Sequence, residues 1–439
     1  MKRILFIALI VGLFLAVGYF LIPGKGEQKE TPLKFFSLAW QEGTIAVNKS
    51  IVDEWNNTHS DLKIEYVQGT WNSAHDYLIT TFETGDVPDI FHYESSIITD
   101  YAMRGYLTDL SPYISPDMKS DILDVAWATV TRPNAEVSGI PFLIESLVVL
   151  YNKSLFEKEQ ITPPTREHPW TWDDLRKAAR KLTKDTTGDG IIDQYGAGFG
   201  LRNSANIIMN TSMSFGGSFF KKEGNQFVVK VGDEEKKLLQ IIVDMIYKEK
   251  SVSPASIGES GAGMIPGFCA GRYAMLVGIG SWGRQQVVES ASKKFRWGVM
   301  PPLKAKTQTY GASTQTLSIP KKSTRAKEAM LFIDFMLNSK NTARLALNDW
   351  MIPARKSCLE MPEFQDSAKG WDVTCSAVST LGVGPWLGMP GYNEWKSRVA
   401  NPVLQELFAG RITVDEAAQR IDHESKNILL RYKKYGETW

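Results

Sequence analysis

The chain has 439 residues, with 50 Lys and Arg against 49 Asp and Glu, for a formal charge of +1. At roughly 150 residues per domain this length predicts two or three domains. A hydrophobic share of 43% and a charged share of 23% exclude a mainly disordered chain. Near-neutrality argues against a nucleic-acid partner, which selects a basic excess or stripe.

The first residues differ from the rest. Lys2 and Arg3 precede an almost unbroken apolar run from Ile4 to Ile22, closed by Pro23 and Gly24. This is the layout of an export signal over residues 1–23, with Ala16-Val17-Gly18 as the cleavage candidate, or of an uncleaved anchor. Either reading puts the body of the protein outside the cytoplasmic membrane, periplasmic or membrane-anchored. No Cys lies near the run, so no lipid-modified N-terminus is expected. Residues 24–32 read as a linker.

From Leu33 short strands alternate with helices. Leu33 to Leu38 reads as a strand, Thr44 to Asn57 as a helix, and Leu62 to Val67 as a strand. Ser73 to Thr84 reads as a second helix and Pro88 to Tyr93 as a buried strand. This βαβαβ succession predicts an α/β fold with a mostly parallel sheet and helices on its faces. Asp117 to Ala128 is helical, and the sheet restarts near Gly139-Ile140-Pro141-Phe142. Asp173 to Leu182, capped by Thr171 or Asp173, and Glu234 to Glu249 are amphipathic helices. Arg272 to Val277, Arg296 to Met300 and Gln315 to Ile319 read as strands. Ala326 to Leu337 and Asp415 to Tyr432 read as surface helices. The economical architecture is two α/β lobes with a cleft between them, where ligands bind beyond the carboxyl ends of strands.

Chemistry-bearing motifs are sparse. His59, His75, His92, His168 and His423 are scattered, without zinc-type spacing. Gly258-Glu259-Ser260-Gly261 resembles a nucleophile elbow, but Ala262 stands where its last Gly belongs. Gly278-Ile279-Gly280-Ser281-Trp282-Gly283 satisfies G-x-G-x-x-G, yet the acid required about 20 residues later is missing and Trp282 fills the space of a pyrophosphate. Asp185, Thr187, Asp189, Ile191 and Asp193 occupy the ligand positions of a calcium-type loop, with Gly190 at its turn. Gly196 replaces the bidentate Glu, so a self-bonded turn is the leading reading and a structural calcium ion the alternative. No other cofactor is expected. Glu94 and Glu145, at strand ends, are candidates for paired carboxylates of the glycosidase type. A single Glu among aromatics serves equally to bond a sugar hydroxyl. The 13 Trp, 15 Tyr and 20 Phe supply rings of the kind that cover a flat ligand face. Cys358 and Cys375 are close enough in sequence for a disulfide after export, and Cys269, in an apolar run, reads as a buried thiol.

Several phrases occur together in order: Pro88-Asp89-Ile90-Phe91, Gly139-Ile140-Pro141-Phe142, Leu150-Tyr151-Asn152-Lys153-Ser154-Leu155-Phe156 and Pro169-Trp170-Thr171-Trp172-Asp173-Asp174-Leu175. Asp185 to Gly196, Phe268-Cys269-Ala270-Gly271-Arg272-Tyr273-Ala274-Met275 and Trp297-Gly298-Val299-Met300-Pro301 follow. The series resembles the extracellular solute-binding proteins of ABC importers, in particular the carbohydrate-binding group that includes the maltose-binding proteins. The resemblance implies two lobes that close on a ligand without catalysing a reaction, a carbohydrate ligand, membrane permease subunits as partners, and a monomer. It places lobe 1 at 33–142 and 311–350, lobe 2 at 143–306 and 351–439, and crossings near Phe142–Glu145, Lys306–Gly311 and Trp350–Pro353. It implies that Glu145 bonds a sugar hydroxyl and that Trp282, led in by Gly280 and Ser281, stacks on a pyranose face. Trp40, Tyr93 and Glu94 follow as cleft residues, with Trp386 or Trp395 as a further stacking ring. Two rivals stay open: a carbohydrate-active enzyme with paired carboxylates, and the same fold binding another small solute.

Overall fold

The computed structural model describes residues 31–223 and 226–436, so the expected signal or anchor at 1–23 lies outside the described residues. Thirteen strands are described: β1 (Leu33–Ser37), β2 (Ile64–Gln68), β3 (Ile90–Glu94), β4 (Ile140–Glu145), β5 (Leu147–Asn152), β6 (Tyr195–Phe199), β7 (Phe220–Glu223), β8 (Gln226–Val229), β9 (Tyr273–Gly280), β10 (Trp297–Met300), β11 (Tyr310–Ser318), β12 (Ile352–Pro353) and β13 (Leu381–Val383). A seven-stranded sheet runs β12-β4-β11-β3-β1-β2, with β13 also paired to β11. A four-stranded sheet runs β10-β5-β9-β6, and β7-β8 form a hairpin. β1 pairs parallel with β2 and β3, while β11 runs antiparallel between β3 and β4. The expected two-lobed α/β architecture is therefore present, one lobe on each larger sheet.

Local chemistry sets the elements. Helix Glu42–Thr58 buries Thr44, Asn48, Ile51, Val52 and Trp55, a single face at helical spacing. Helix Trp172–Leu182 starts at a capping box: Thr171 Oγ1 accepts from the Asp174 amide at 3.2 Å, and Asp174 Oδ2 accepts from the Thr171 amide at 3.0 Å. Its Leu175, Ala178, Ala179 and Leu182 face the second core. Each lobe has its own core, with Phe35, Ile140, Leu317 and Phe332 in the first and Phe199, Leu238, Met275 and Leu404 in the second.

The lobes are joined where strands change sheets. β4 ends at Glu145 and β5 begins at Leu147, so one residue, Ser146, separates strands of different sheets. The chain returns between β10 and β11, and crosses again after β13, where Trp386 packs into the second core. A Cβ at Gly311 would collide with the Trp386 ring, so the second and third crossings meet only because position 311 has no side chain.

Two boundaries differ from expectation. The third crossing lies after Leu381–Val383 and not at Trp350–Pro353, because β12 pairs with β4 inside the first sheet. The first core also takes in Leu143, Ile144, Cys358, Phe364, Trp371 and Cys375. Residues 143–145 and 352–375 thus belong with lobe 1, since their apolar side chains are buried there. Asp117 to Ala128 is two short helices, Pro116–Asp121 and Asp124–Ala128, and not one.

The expected Cys358–Cys375 disulfide is absent. Both thiols are free and buried, and Cys269 is free and only partly buried where a buried thiol was expected. Burial pushes all three thiols up, Cys269 and Cys358 to about 11 and Cys375 to about 12, so access and not acidity sets which of them a reagent reaches. We expect a thiol reagent to label one cysteine in the native protein and three after denaturation, with no change of melting temperature on adding reductant. Reductant-dependent melting would restore the disulfide.

Candidate functional site

The carboxyl ends of strands from both sheets converge beside the first crossing. Trp40 follows β1, Glu94 ends β3, Glu145 ends β4, and Gly280 ends β9 immediately before Ser281 and Trp282. The Trp40 and Trp282 rings, one from each lobe, stand 5.5 Å apart at 85°. Trp40 is 42% exposed, so a large part of its indole is open to solvent. Trp282 Nε1 donates to Glu145 Oε1 at 2.9 Å. A Cβ at Gly280 would strike both partners of that bond, so this glycine permits the close approach.

The site is rich in acceptors. Burial, then the nearby Glu94 charge, raises the Glu145 carboxyl to about 7, and the Trp282 N–H only partly offsets this. Burial likewise raises Asp349, at the end of helix Ser339–Asp349, to about 7; Thr44 Oγ1 donates to it at 3.2 Å. Glu94 Oε1 accepts from Ser96 Oγ at 2.9 Å and lies 3.9 Å from Lys396 Nζ of the other lobe. The buried carbonyl-type acceptor Gln41 Oε1 and the buried hydroxyls of Ser146 and Ser281 have no protein partner. Two perpendicular rings, three carboxyl groups, one ammonium and spare hydrogen-bonding atoms make a surface suited to a polyhydroxylated ligand with apolar faces.

Behind this surface His92 is buried and held at about 4 by desolvation, so it is neutral. Its ring nitrogens bond the Leu38 amide at 3.3 Å and Gln315 Oε1 at 2.8 Å, which ties β3 to the segment carrying Trp40 and to β11.

The sequence-predicted residues divide into two groups. Trp40, Glu94, Glu145, Gly280, Ser281 and Trp282 come together. Tyr93 is buried edge-on to Trp71, with ring centres 5.5 Å apart, in a cluster under β3. Trp386 and Trp395 do not present a face for stacking. Trp386 is 3% exposed against Gly311 and Gly384, and Trp395 is 0% exposed with its N–H donated to Ser425 Oγ at 2.7 Å. Both are core rings of lobe 2, each stacked on Tyr392. The Asp185 loop turns its carboxylates onto itself. Asp185 accepts from the Thr187, Gly188 and Gly190 amides, and Asp193 from the amide and hydroxyl of Thr186. Ile191 N–H donates to Asp189 Oδ1 at 2.8 Å. Among the described residues no group of three or more His, Cys, Asp or Glu is placed to hold a metal ion.

Sequence reasoning missed Gln41, Asp349 and Lys396. Lys396 opens a π-helical turn, Lys396–Ala400, a local irregularity often found at functional sites. Its sequence signal was only a lysine after a core tryptophan.

The model of the bacterial extracellular solute-binding protein family matches residues 41–343. An uncharacterized lipoprotein from the oleD 5′ region of Streptomyces antibioticus is 38% identical over 419 residues, covering 94% of this chain and 90% of that protein. The diacetylchitobiose binding protein DasA of Streptomyces coelicolor is 22% identical over 383 residues, covering 84% and 83%. Among solved structures, the sugar-binding protein MalE of Xanthomonas citri matches with a TM-score of 0.80 at 17% identity, over 93% of this chain and all of that one. Two lobes joined by three crossings, with strand ends and rings meeting between them, agree with these matches: the chain belongs to the family of bacterial extracellular solute-binding proteins.

Proposed function

We propose that the protein is the extracytoplasmic receptor of an ABC importer, which binds a carbohydrate, an oligosaccharide, between its lobes and passes it to membrane permease subunits without chemical change. The observation that carries this reading is the interlobe pair Trp40 and Trp282 beside Glu145. Sugar C–H faces bury against indoles at about 25 cal/mol per Å², and carboxylates are the stronger acceptors for hydroxyls. The sugars in the names of DasA and MalE support the ligand class. No helix among the described residues is long and apolar enough to cross a membrane. The receptor acts as a monomer, each copy carrying both halves of the cleft.

Calorimetry of the purified protein against mono- and oligosaccharides, with polyamines, phosphate esters and amino acids alongside, tests the reading. Saturable one-to-one binding of a sugar, recovered unchanged, is expected. Binding of only a non-sugar solute would overturn the ligand class. Release of shortened products, abolished in Glu145→Gln, would establish the rival enzyme.

A further inference from the structure

Two arginines are among the largest wholly buried side chains, and they are satisfied in opposite ways. Arg355 meets two carboxylates, with Nη1 at 2.8 Å from Asp117 Oδ2 and 2.9 Å from Asp121 Oδ2. Arg284, 0% exposed, meets none among its described contacts. Its Nε donates to Ser281 O at 3.0 Å, Nη1 to Lys369 O at 3.3 Å and Nη2 to Trp350 O at 2.9 Å. Its guanidinium carbon lies 4.1 Å from the centre of the Trp371 ring and 5.4 Å from that of Trp350, two rings stacked 5.6 Å apart. Burial pushes this group down to about 9, whereas its carboxylate partners raise Arg355 despite its burial.

A desolvated cation without a counter-ion costs stability, and carbonyls and indole faces recover only part of it. The partners show what the cost secures. Ser281 and Arg284 belong to lobe 2, flanking Trp282. Trp350, Lys369 and Trp371 belong to lobe 1, where Trp350 ends helix Ser339–Asp349 in a left-handed conformation (φ 55°) directly after Asp349. The fork therefore reaches across the lobe boundary and bonds a carbonyl just past the negative end of that helix. Beside it, a Cβ at Gly370 would strike Val299 of β10, so lobe 1 is seated tightly on the edge of the second sheet.

We propose that Arg284 is an interlobe positioning residue for ligand capture: it fastens the Ser281–Trp282 loop to the Asp349–Trp350 corner and so holds Trp282 against Trp40 and Glu145. The role in capture rests on the receptor reading above; the fastening of the lobes does not. Only a planar fork on a long stem can serve three carbonyls and two ring faces together. A lysine keeps the charge and loses the fork.

The test uses the full chain as Arg284→Met and Arg284→Lys, with two independent readouts. Small-angle scattering without added ligand reports the lobe arrangement and needs no known sugar. Arg284→Met is expected to increase the radius of gyration and Arg284→Lys to do so less. Titration with the sugar that binds the wild type in the calorimetric panel is expected to show at least a tenfold rise in Kd for Arg284→Met, partly restored in Arg284→Lys. Unchanged scattering and Kd in a folded Arg284→Met would overturn the proposal. If that variant does not fold, unchanged scattering and Kd in Arg284→Lys would overturn it equally. If no sugar binds the wild type, the carbohydrate reading fails while the scattering comparison still decides whether Arg284 fastens the lobes.

Discussion

Trp282→Ala is expected to weaken sugar binding by about 1–3 kcal/mol, roughly 5- to 150-fold in Kd. The indole does three things at once. It meets Trp40 at 85°, donates its N–H to Glu145, and packs partly against both the lobe 1 core and the cluster under β9. From sequence, a ring between glycines at a strand end should be removable with little effect on stability. The packing in the structure revises that: the melting temperature should fall by a few degrees as well. Trp282→Phe separates the contributions, keeping a ring but losing the N–H. Calorimetry and thermal unfolding on the two variants check this. Wild-type affinity in folded Trp282→Ala would remove the ring from the binding surface.

Glu145→Gln is expected to change how stability depends on pH. The ordinary value of a glutamate is about 4.3, and burial followed by the Glu94 charge raises Glu145 to about 7 in the fold. Between these values the folded protein holds a proton that the unfolded chain has released. The stabilisation is complete below about pH 4.3 and drains away as pH rises through about 7. Glutamine does not titrate, so the variant's melting temperature relative to the wild type should climb from pH 5 to pH 8. The other charges facing the carboxyl are Glu94, Asp349 and Lys396. Asp349→Asn should shift stability in the same direction, because burial raises that group too. Paired melting curves at several pH values decide it. A difference that stays flat with pH would place Glu145 in a solvated setting.

The fold was legible because its elements are local and strongly patterned. The βαβαβ run from Leu33 to Tyr93 appears as β1 to β3 with their helices within a few residues of expectation, and of the two expected caps, Thr171 and Asp173, it is Thr171 that caps its helix. That Trp40, Glu94, Glu145 and Trp282 come together was legible from the family resemblance and from their places at strand carboxyl ends, which the two sheets bring to one point. The site was illegible where long-range packing decides the matter. Trp395 lies in the C-terminal segment like Lys396 beside it, yet one fills a core and the other reaches Glu94 of the opposite lobe. Nothing local distinguishes Arg284 from an ordinary surface arginine, since its lobe 1 partners Trp350 and Lys369 lie 66 and 85 residues away along the chain. The boundary after β13 escaped for the same reason: Phe364 and Trp371 belong to lobe 1 only because the first core has room for them.

A crystal structure grown with the sugar that binds most tightly in the calorimetric panel examines all of this together. The expected density is a pyranose ring lying against the Trp282 or Trp40 indole between the lobes, with one hydroxyl in hydrogen-bonding reach of Glu145. A sugar seated elsewhere on the protein, with the space beside Trp40, Glu145 and Trp282 left to solvent, would contradict the account.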